Sequence, residues 1–122
     1  MSLRTGLKVF IGWDRTVPEV SEVCAFSLLQ RASVPVTAEF LQIDDLTARG
    51  LYRRARDPLA STEFTYSRFL VPRLVDYQGL ALFCDNDFLW LDDIAGLLVG
   101  CIGPRAMVRC LPPVRLRRRM DR

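Results

Sequence analysis

Asp85 and Asp87 sit two apart, directly behind the apolar run Leu80-Ala81-Leu82-Phe83-Cys84. On an extended backbone, residues two apart point to the same side. Two carboxylates held side by side repel each other unless a cation or a proton joins them. A divalent ion that prefers oxygen, Mg²⁺ or Mn²⁺, would hold them and leave positions open for phosphate oxygens. Composition excludes other chemistries. The chain has no histidine, which removes Ser-His-Asp catalysis, Cys-His catalysis and any His metal ligand. Its four cysteines, at 24, 84, 101 and 110, form no Cys-x-x-Cys pair. The spacing suggests neither a zinc site nor a disulfide framework. Cys24 and Cys84 lie inside apolar runs and read as small core residues.

The acidic pair needs a scaffold that ends at it. The run before it, bounded by Gly79 and the polar triplet Asp85-Asn86-Asp87, reads as a strand buried on both faces. In open α/β sheets ligands sit at the carboxyl ends of such strands. Leu7 to Ile11 reads as a first strand, closed by Gly12 and followed by the loop Trp13-Asp14-Arg15-Thr16. Pro18 opens a helix at its first turn, and Glu19 and Glu22 suit that helix's positive end. Val20, Val23, Cys24, Ser27, Leu28 and Arg31 follow helical spacing, with Phe26 and Leu29 widening the apolar face. The helix ends near Ala32-Ser33, because Pro35 disfavours helical geometry at Val34. Val36 to Ile43 reads as a second strand. Strand, helix and strand make a βαβ unit, so a parallel pair with a right-handed crossover is expected.

Asp44 or Asp45 caps a short helix from Leu46 to Arg49 that Gly50 ends. Leu51 to Ala60 reads as loop, with Asp57-Pro58 as its turn. Ser61 or Thr62 caps a helix carrying Phe64, Phe69, Leu70, Leu74 and Val75, kinked or cut short by Pro72. Tyr77-Gln78-Gly79 turns into the acidic strand, and Asp92-Asp93 caps a helix from Ile94 to Val99. The fold class is therefore α/β: a Rossmann-like, mostly parallel sheet with flanking helices.

The 122 residues, half of them hydrophobic, suffice for one domain with a core. Residues 1–99 make that domain, and residues 100–122 read as an irregular, disordered basic tail broken by Gly100, Gly103, Pro104, Pro112 and Pro113. Residues 105–122 hold seven Arg and one Asp, a net of +6, against +3 for the whole chain, so the remainder carries −3. The basic character belongs to the tail, and the overall charge gives no ground for a nucleic-acid partner. No apolar run reaches transmembrane length, and the first residues lack a signal-peptide core. A soluble, cytoplasmic protein is the expectation.

Three segments, in order, resemble the amino-terminal half of a family 8-like glycosyltransferase. They are Val9-Phe10-Ile11-Gly12-Trp13-Asp14, Ser61-Thr62-Glu63-Phe64-Thr65-Tyr66-Ser67-Arg68-Phe69-Leu70-Val71-Pro72 and Phe83-Cys84-Asp85-Asn86-Asp87. An Asp-x-Asp alone is a weak signal, but the ordered set over residues 7–99 is stronger. The resemblance implies a GT-A nucleotide-diphospho-sugar transferase fold and transfer of a hexosyl group from a UDP-sugar to an acceptor hydroxyl. It also implies retention at the sugar carbon and a divalent metal, commonly Mn²⁺. Ile11, Gly12 and Asp14 would line the uridine pocket, with Gly12 letting the backbone approach the ligand. Arg68 would face the diphosphate-sugar, Asp85 and Asp87 the metal and the donor ribose, and Asn86 the ribose or sugar hydroxyls.

That family supplies a third metal ligand, usually His, and most of the acceptor site from its carboxyl-terminal half. Here the family-like character stops near Val99. A truncated GT-A domain is the expectation, with two readings: a transferase, or a catalytically inactive remnant that acts as an interaction fragment. The open edge of a half-sheet would also expose apolar surface and favour self-association.

Overall fold

The structure, a computed structural model, describes residues 6–101, with side chains up to Leu97. The Arg-rich segment read above as a tail lies outside the described residues. Three strands form one parallel sheet in the order β2-β1-β3, with β1 Leu7–Gly12, β2 Val36–Leu41 and β3 Ala81–Cys84. The register runs from Leu7 opposite Val36 to Gly12 opposite Leu41 on one side. On the other it runs from Lys8 opposite Ala81 to Ile11 opposite Cys84. The central strand is thus β1 and not the acidic one. Ala81, Leu82 and Phe83 are only half-buried, because β3 has a neighbour on one edge only among the described residues.

Alternation along β1 sorts the core into two layers. Leu7, Val9 and Ile11 face a cluster with Cys24, Leu28, Cys84 and Ile94. Phe10 faces the opposite layer, with Leu41, Leu46, Tyr52 and Val71. The first layer is built by helices α1, Pro18–Arg31, and α4, Ile94–Cys101; the second by α2, Ile43–Ala48, and α3, Val71–Leu74. This is a small α/β domain of Rossmann-like coarse form. Among the described residues no helix is long and apolar enough to cross a membrane.

Helix α1 starts at Pro18, where the missing N–H costs nothing. Its buried stripe is Ser21, Cys24, Ser27 and Leu28. Val23, Phe26 and Leu29, expected on the apolar face, are 54%, 66% and 48% exposed. The serines explain the difference. They turn inward because the backbone takes their hydroxyls: Ser21 Oγ donates to the Gly12 carbonyl at 2.8 Å and Ser27 Oγ to the Cys24 carbonyl at 2.9 Å. Small inward residues let the helix lie close to the sheet and turn the larger apolar side chains outward.

Three further boundaries differ from expectation. Strand β2 stops at Leu41, and α2 begins at Ile43 with Gln42 as an N-cap that makes no side-chain bond. Asp44 and Asp45 sit in its first turn, where the dipole favours them. The long helix expected after Thr62 is absent. Turns lead into a 3₁₀ helix, Ser67–Leu70, and then into α3 with Pro72 in its first turn. The Thr65 hydroxyl donates to the Thr62 carbonyl at 2.9 Å, offering the backbone an alternative to the helix. Pro72 then forbids one continuous α-helix through this stretch.

Asp93 caps α4 as expected. Its Oδ1 accepts from the Ala95 N–H at 2.9 Å and from the Ser33 N–H at 3.1 Å, tying α4 to the end of α1. The Ser33 and Ala95 donors hold its carboxyl below the usual carboxylate range. A depressed folded value contributes stability above the unfolded value near 3.9 and loses it as pH falls through the folded one. Asp93→Asn is expected to melt below wild type near pH 6, with the gap narrowing as pH falls from the unfolded value through the lower folded one. Thermal melts across that window check this; a gap that persists unchanged in acid would assign the loss to geometry rather than charge.

Candidate functional site

In the order β2-β1-β3 the chain leaves β1 for one side and returns on the other. The crevice at the carboxyl ends of β1 and β3 is therefore a topological switch point, where open α/β sheets take ligands. Two loops meet this edge: Trp13 to Thr16 after β1, and Asp85 to Asp87 after β3.

Asp85 and Arg68 are brought together. Arg68 Nη1 lies 3.7 Å from Asp85 Oδ1, with side chains 35% and 46% exposed. The Arg68 Nε donates to the Phe64 carbonyl at 3.3 Å. Its guanidinium lies 5.6 Å from the Phe64 ring centre and 5.3 Å from that of Phe83. Two aromatic faces thus support the cation from below and leave its other side accessible.

Asp87 follows Asp85 through a turn and not along extended backbone. Strand pairing ends at Cys84, and Asn86-Asp87 form a turn. The rule that residues two apart share a side holds only for extended backbone, so it does not fix the side of Asp87. Asp87 and Asn86 line a shallow, mainly apolar groove with Glu19, Val23, Phe88 and Leu89, beside the start of α1.

Ile11 is buried in the core layer with Cys24 and Leu28, which leaves its side chain no free surface. Gly12 is buried as well, and its missing side chain serves a purpose other than the expected one. A Cβ there would stand 2.6–2.7 Å from Cγ, Cδ1 and Cδ2 of Phe64. Glycine at this position makes room for the ring that supports Arg68. Trp13 packs on Phe40, with ring centres 4.9 Å apart.

Asp14 borders a cleft of about 260 Å³ whose walls include Arg15, Thr16, Tyr52, Arg54 and Tyr66. Asp14 Oδ1 accepts both the Thr16 N–H at 2.9 Å and the Thr16 hydroxyl at 2.6 Å. These bonds, hydroxyl first, hold its carboxyl below the usual range. They leave Oδ2 unclaimed by Thr16. The walls are braced. Arg15 donates from Nε to Glu63 Oε1 at 2.6 Å and from Nη2 to Asp44 Oδ1 at 3.3 Å. The Tyr66 hydroxyl donates to Asp57 Oδ2 at 2.7 Å, which lowers the Asp57 carboxyl and raises the Tyr66 phenol. The Arg54 guanidinium lies 3.9 Å over the Tyr66 ring. None of Arg15, Tyr52, Arg54 or Tyr66 stood out as a site residue in the sequence. The available signal was the arginine-dense stretch Tyr52-Arg53-Arg54-Ala55-Arg56-Asp57, read only as a loop.

The donor set bears on the metal. Among the described residues no group of three or more His, Cys, Asp or Glu side chains could hold an ion. Mg²⁺ and Mn²⁺ do not need one: such ions bind through one or two carboxylates and complete the shell with phosphate oxygens and water. Asp85 and Asp87, both accessible, fit that mode and not an all-protein cage.

No family model matches the chain, and no solved structure matches it significantly. A curated relative from Arabidopsis thaliana, named Protein CDI, is 47% identical over 90 residues. That alignment takes in 74% of this chain and 35% of the relative. The chain therefore spans about a third of the length of the curated relative it matches.

Proposed function

We propose that the carboxyl edge of the sheet binds a nucleotide-diphospho-sugar together with Mn²⁺ or Mg²⁺. The chain would then supply the donor-binding part of a metal-dependent glycosyltransferase of GT-A fold, one that moves a hexosyl group from a UDP-sugar to an acceptor hydroxyl. The observation that carries this reading is the Arg68–Asp85 pair, laid on Phe64 and Phe83 at the switch point. A planar cation with five donors suits diphosphate oxygens, and the neighbouring carboxylate suits the counter-ion.

The parts divide the donor between them. The cleft beside Asp14, at about 260 Å³, falls below the ~300–1,000 Å³ of whole-ligand sites and suits the uridine portion alone. Asp14 Oδ2 accepts from the nucleoside, and Asn86 meets the ribose. Arg68 orients the diphosphate. Asp85 and Asp87 hold the ion, which when bound neutralises the leaving diphosphate as the sugar–oxygen bond breaks. Retention at the sugar carbon rests on the resemblance of the three segments.

Thermal melts test the reading. Ligand at a hundredfold excess over Kd contributes about 2.7 kcal/mol, a rise on the order of ten degrees for a domain of this size. UDP with Mn²⁺ is expected to raise the wild-type Tm and to leave Asp87→Ala unmoved. No rise in wild type at millimolar UDP and Mn²⁺, with no UDP-sugar turnover, would favour the second reading, an interaction fragment. One observation speaks for that alternative: Phe26, Phe88, Leu89 and Leu91 are at least half exposed, apolar side chains that a partner would cover.

A further inference from the structure

Beneath the acidic turn lies a pair of sulfurs that the donor-binding reading does not use. Cys24 on α1 and Cys84, the last residue of β3, place their Sγ atoms 3.8 Å apart. Both side chains are buried in the same core layer. Cys24 Sγ also lies 3.9 Å from the Asp85 carbonyl. Close by, the Trp90 backbone N–H donates to Ser27 Oγ at 3.0 Å, while the Trp90 indole nitrogen is buried with no hydrogen-bond partner among the described residues. Sulfurs in contact across two rigid elements need to close by less than 2 Å to reach the bonded separation of about 2.05 Å.

We propose that Cys24 and Cys84 form an oxidisable dithiol that a hydroperoxide converts to a disulfide, tying the turn that carries Asp85 and Asp87 to α1. The balance is simple. One sulfur attacks the terminal peroxide oxygen, the O–O bond breaks, and the thiol becomes a sulfenic acid as an alcohol or water leaves with its proton. The second sulfur attacks the first, the S–S bond forms, and hydroxide departs with the second thiol proton as water. The dithiol loses two electrons and the peroxide gains them. Access requires a local opening of the exposed segment Asp87-Phe88-Leu89 that follows the end of β3, of low cost compared with unfolding.

The cross-link has a directional consequence. Cys84 points into the α1 layer, whereas Asp85 reaches Arg68 over Phe64 and Phe83 on the other side. Drawing Cys84 toward α1 pulls Asp85 away from Arg68, and their contact at 3.7 Å is already loose. Oxidation therefore releases the Arg68 guanidinium. The bond itself and its first readout do not depend on what the cleft binds.

The test treats the full chain with hydrogen peroxide, then alkylates it under denaturing conditions and digests it with trypsin without reduction. A linked pair of peptides covering residues 16–31 and 74–105 is expected, lost on reduction. It should appear in wild type and equally in a Cys101→Ser, Cys110→Ser variant, which leaves Cys84 as the one thiol of the second peptide. Tm should rise by roughly 5 °C or more on oxidation, since the bond closes a long loop. Cys24→Ala should show neither the link nor the rise. Recovery of both thiols as alkylated residues after excess peroxide would overturn the proposal. So would a link from Cys84 that appears only between two chains. If Cys24→Ala does not fold, the wild-type peptide map still decides.

Discussion

Replacing Gly12 with alanine is expected to lower the stability of the domain by about 1–3 kcal/mol, the range for forcing an atom into a packed core. The added Cβ would meet the Phe64 ring at 2.6–2.7 Å, well inside contact distance. The contact atoms include Cγ, so a small swing of the ring tip does not relieve the clash. Nor can the strand retreat. Gly12 is paired with Leu41 in the sheet, and its carbonyl accepts from the buried Ser21 hydroxyl. Phe64 is itself 1% exposed. At ~4–8 °C per kcal/mol, urea and thermal melts resolve the loss easily, and Gly12→Val should be worse. Phe64→Leu in the alanine background should recover part of it, giving a coupling of at least ~0.5 kcal/mol in a double-mutant cycle. A neutral Gly12→Ala, or strict additivity with Phe64→Leu, would show that the ring does not rest on the glycine.

That position also shows what the sequence could and could not say. From its position Gly12 read only as the end of the first strand, and the resemblance alone made it a point of close approach, to a ligand. Whether ligand or side chain makes the approach depends on Phe64, 52 residues further along the chain, and local pattern does not reach that far. The strands were legible by type, since Leu7 to Ile11 and Ala81 to Cys84 are apolar runs between turn residues. Their order was not: the run read as buried on both faces is β3, which has one neighbouring strand among the described residues, and neighbours decide burial. Pro18 and Pro35 marked the limits of α1 through fixed backbone chemistry. Its inward face was legible at Cys24, Ser27 and Leu28 and missed at Ser21, which is polar by type yet satisfied inside by the Gly12 carbonyl. At the site, the resemblance of the ordered motifs assigned Asp85 and Arg68 to one ligand, though not their contact with each other. The turn that carries Asp87 could not be read, since it starts only two residues past the strand end.

Arg68 is where the donor-binding reading meets its sharpest demand. Arg68→Met is expected to change stability by less than about 1 kcal/mol, because half-exposed pairs contribute little and the methionine stem still covers Phe64 and Phe83. Affinity for UDP with Mn²⁺ should nevertheless fall about 10- to 150-fold, the equivalent of the ~1.5–3 kcal/mol carried by hydrogen bonds to a charged group. Arg68→Lys should lie between, since it keeps a charge but loses the planar fork and its stacking on two rings. Calorimetric titration of wild type and both variants separates the roles, and raising salt should weaken wild type more than Arg68→Met. Asp85→Asn adds the complementary arm. If Asp85 serves the ion, its loss removes the Mn²⁺ requirement along with the affinity. If it only anchors Arg68, the Mn²⁺ requirement survives and affinity drops modestly. Should Arg68→Met bind UDP and Mn²⁺ as tightly as wild type, the guanidinium would be no more than a cover for the two phenyl rings, and the carboxyl edge of the sheet would lose its claim to the diphosphate.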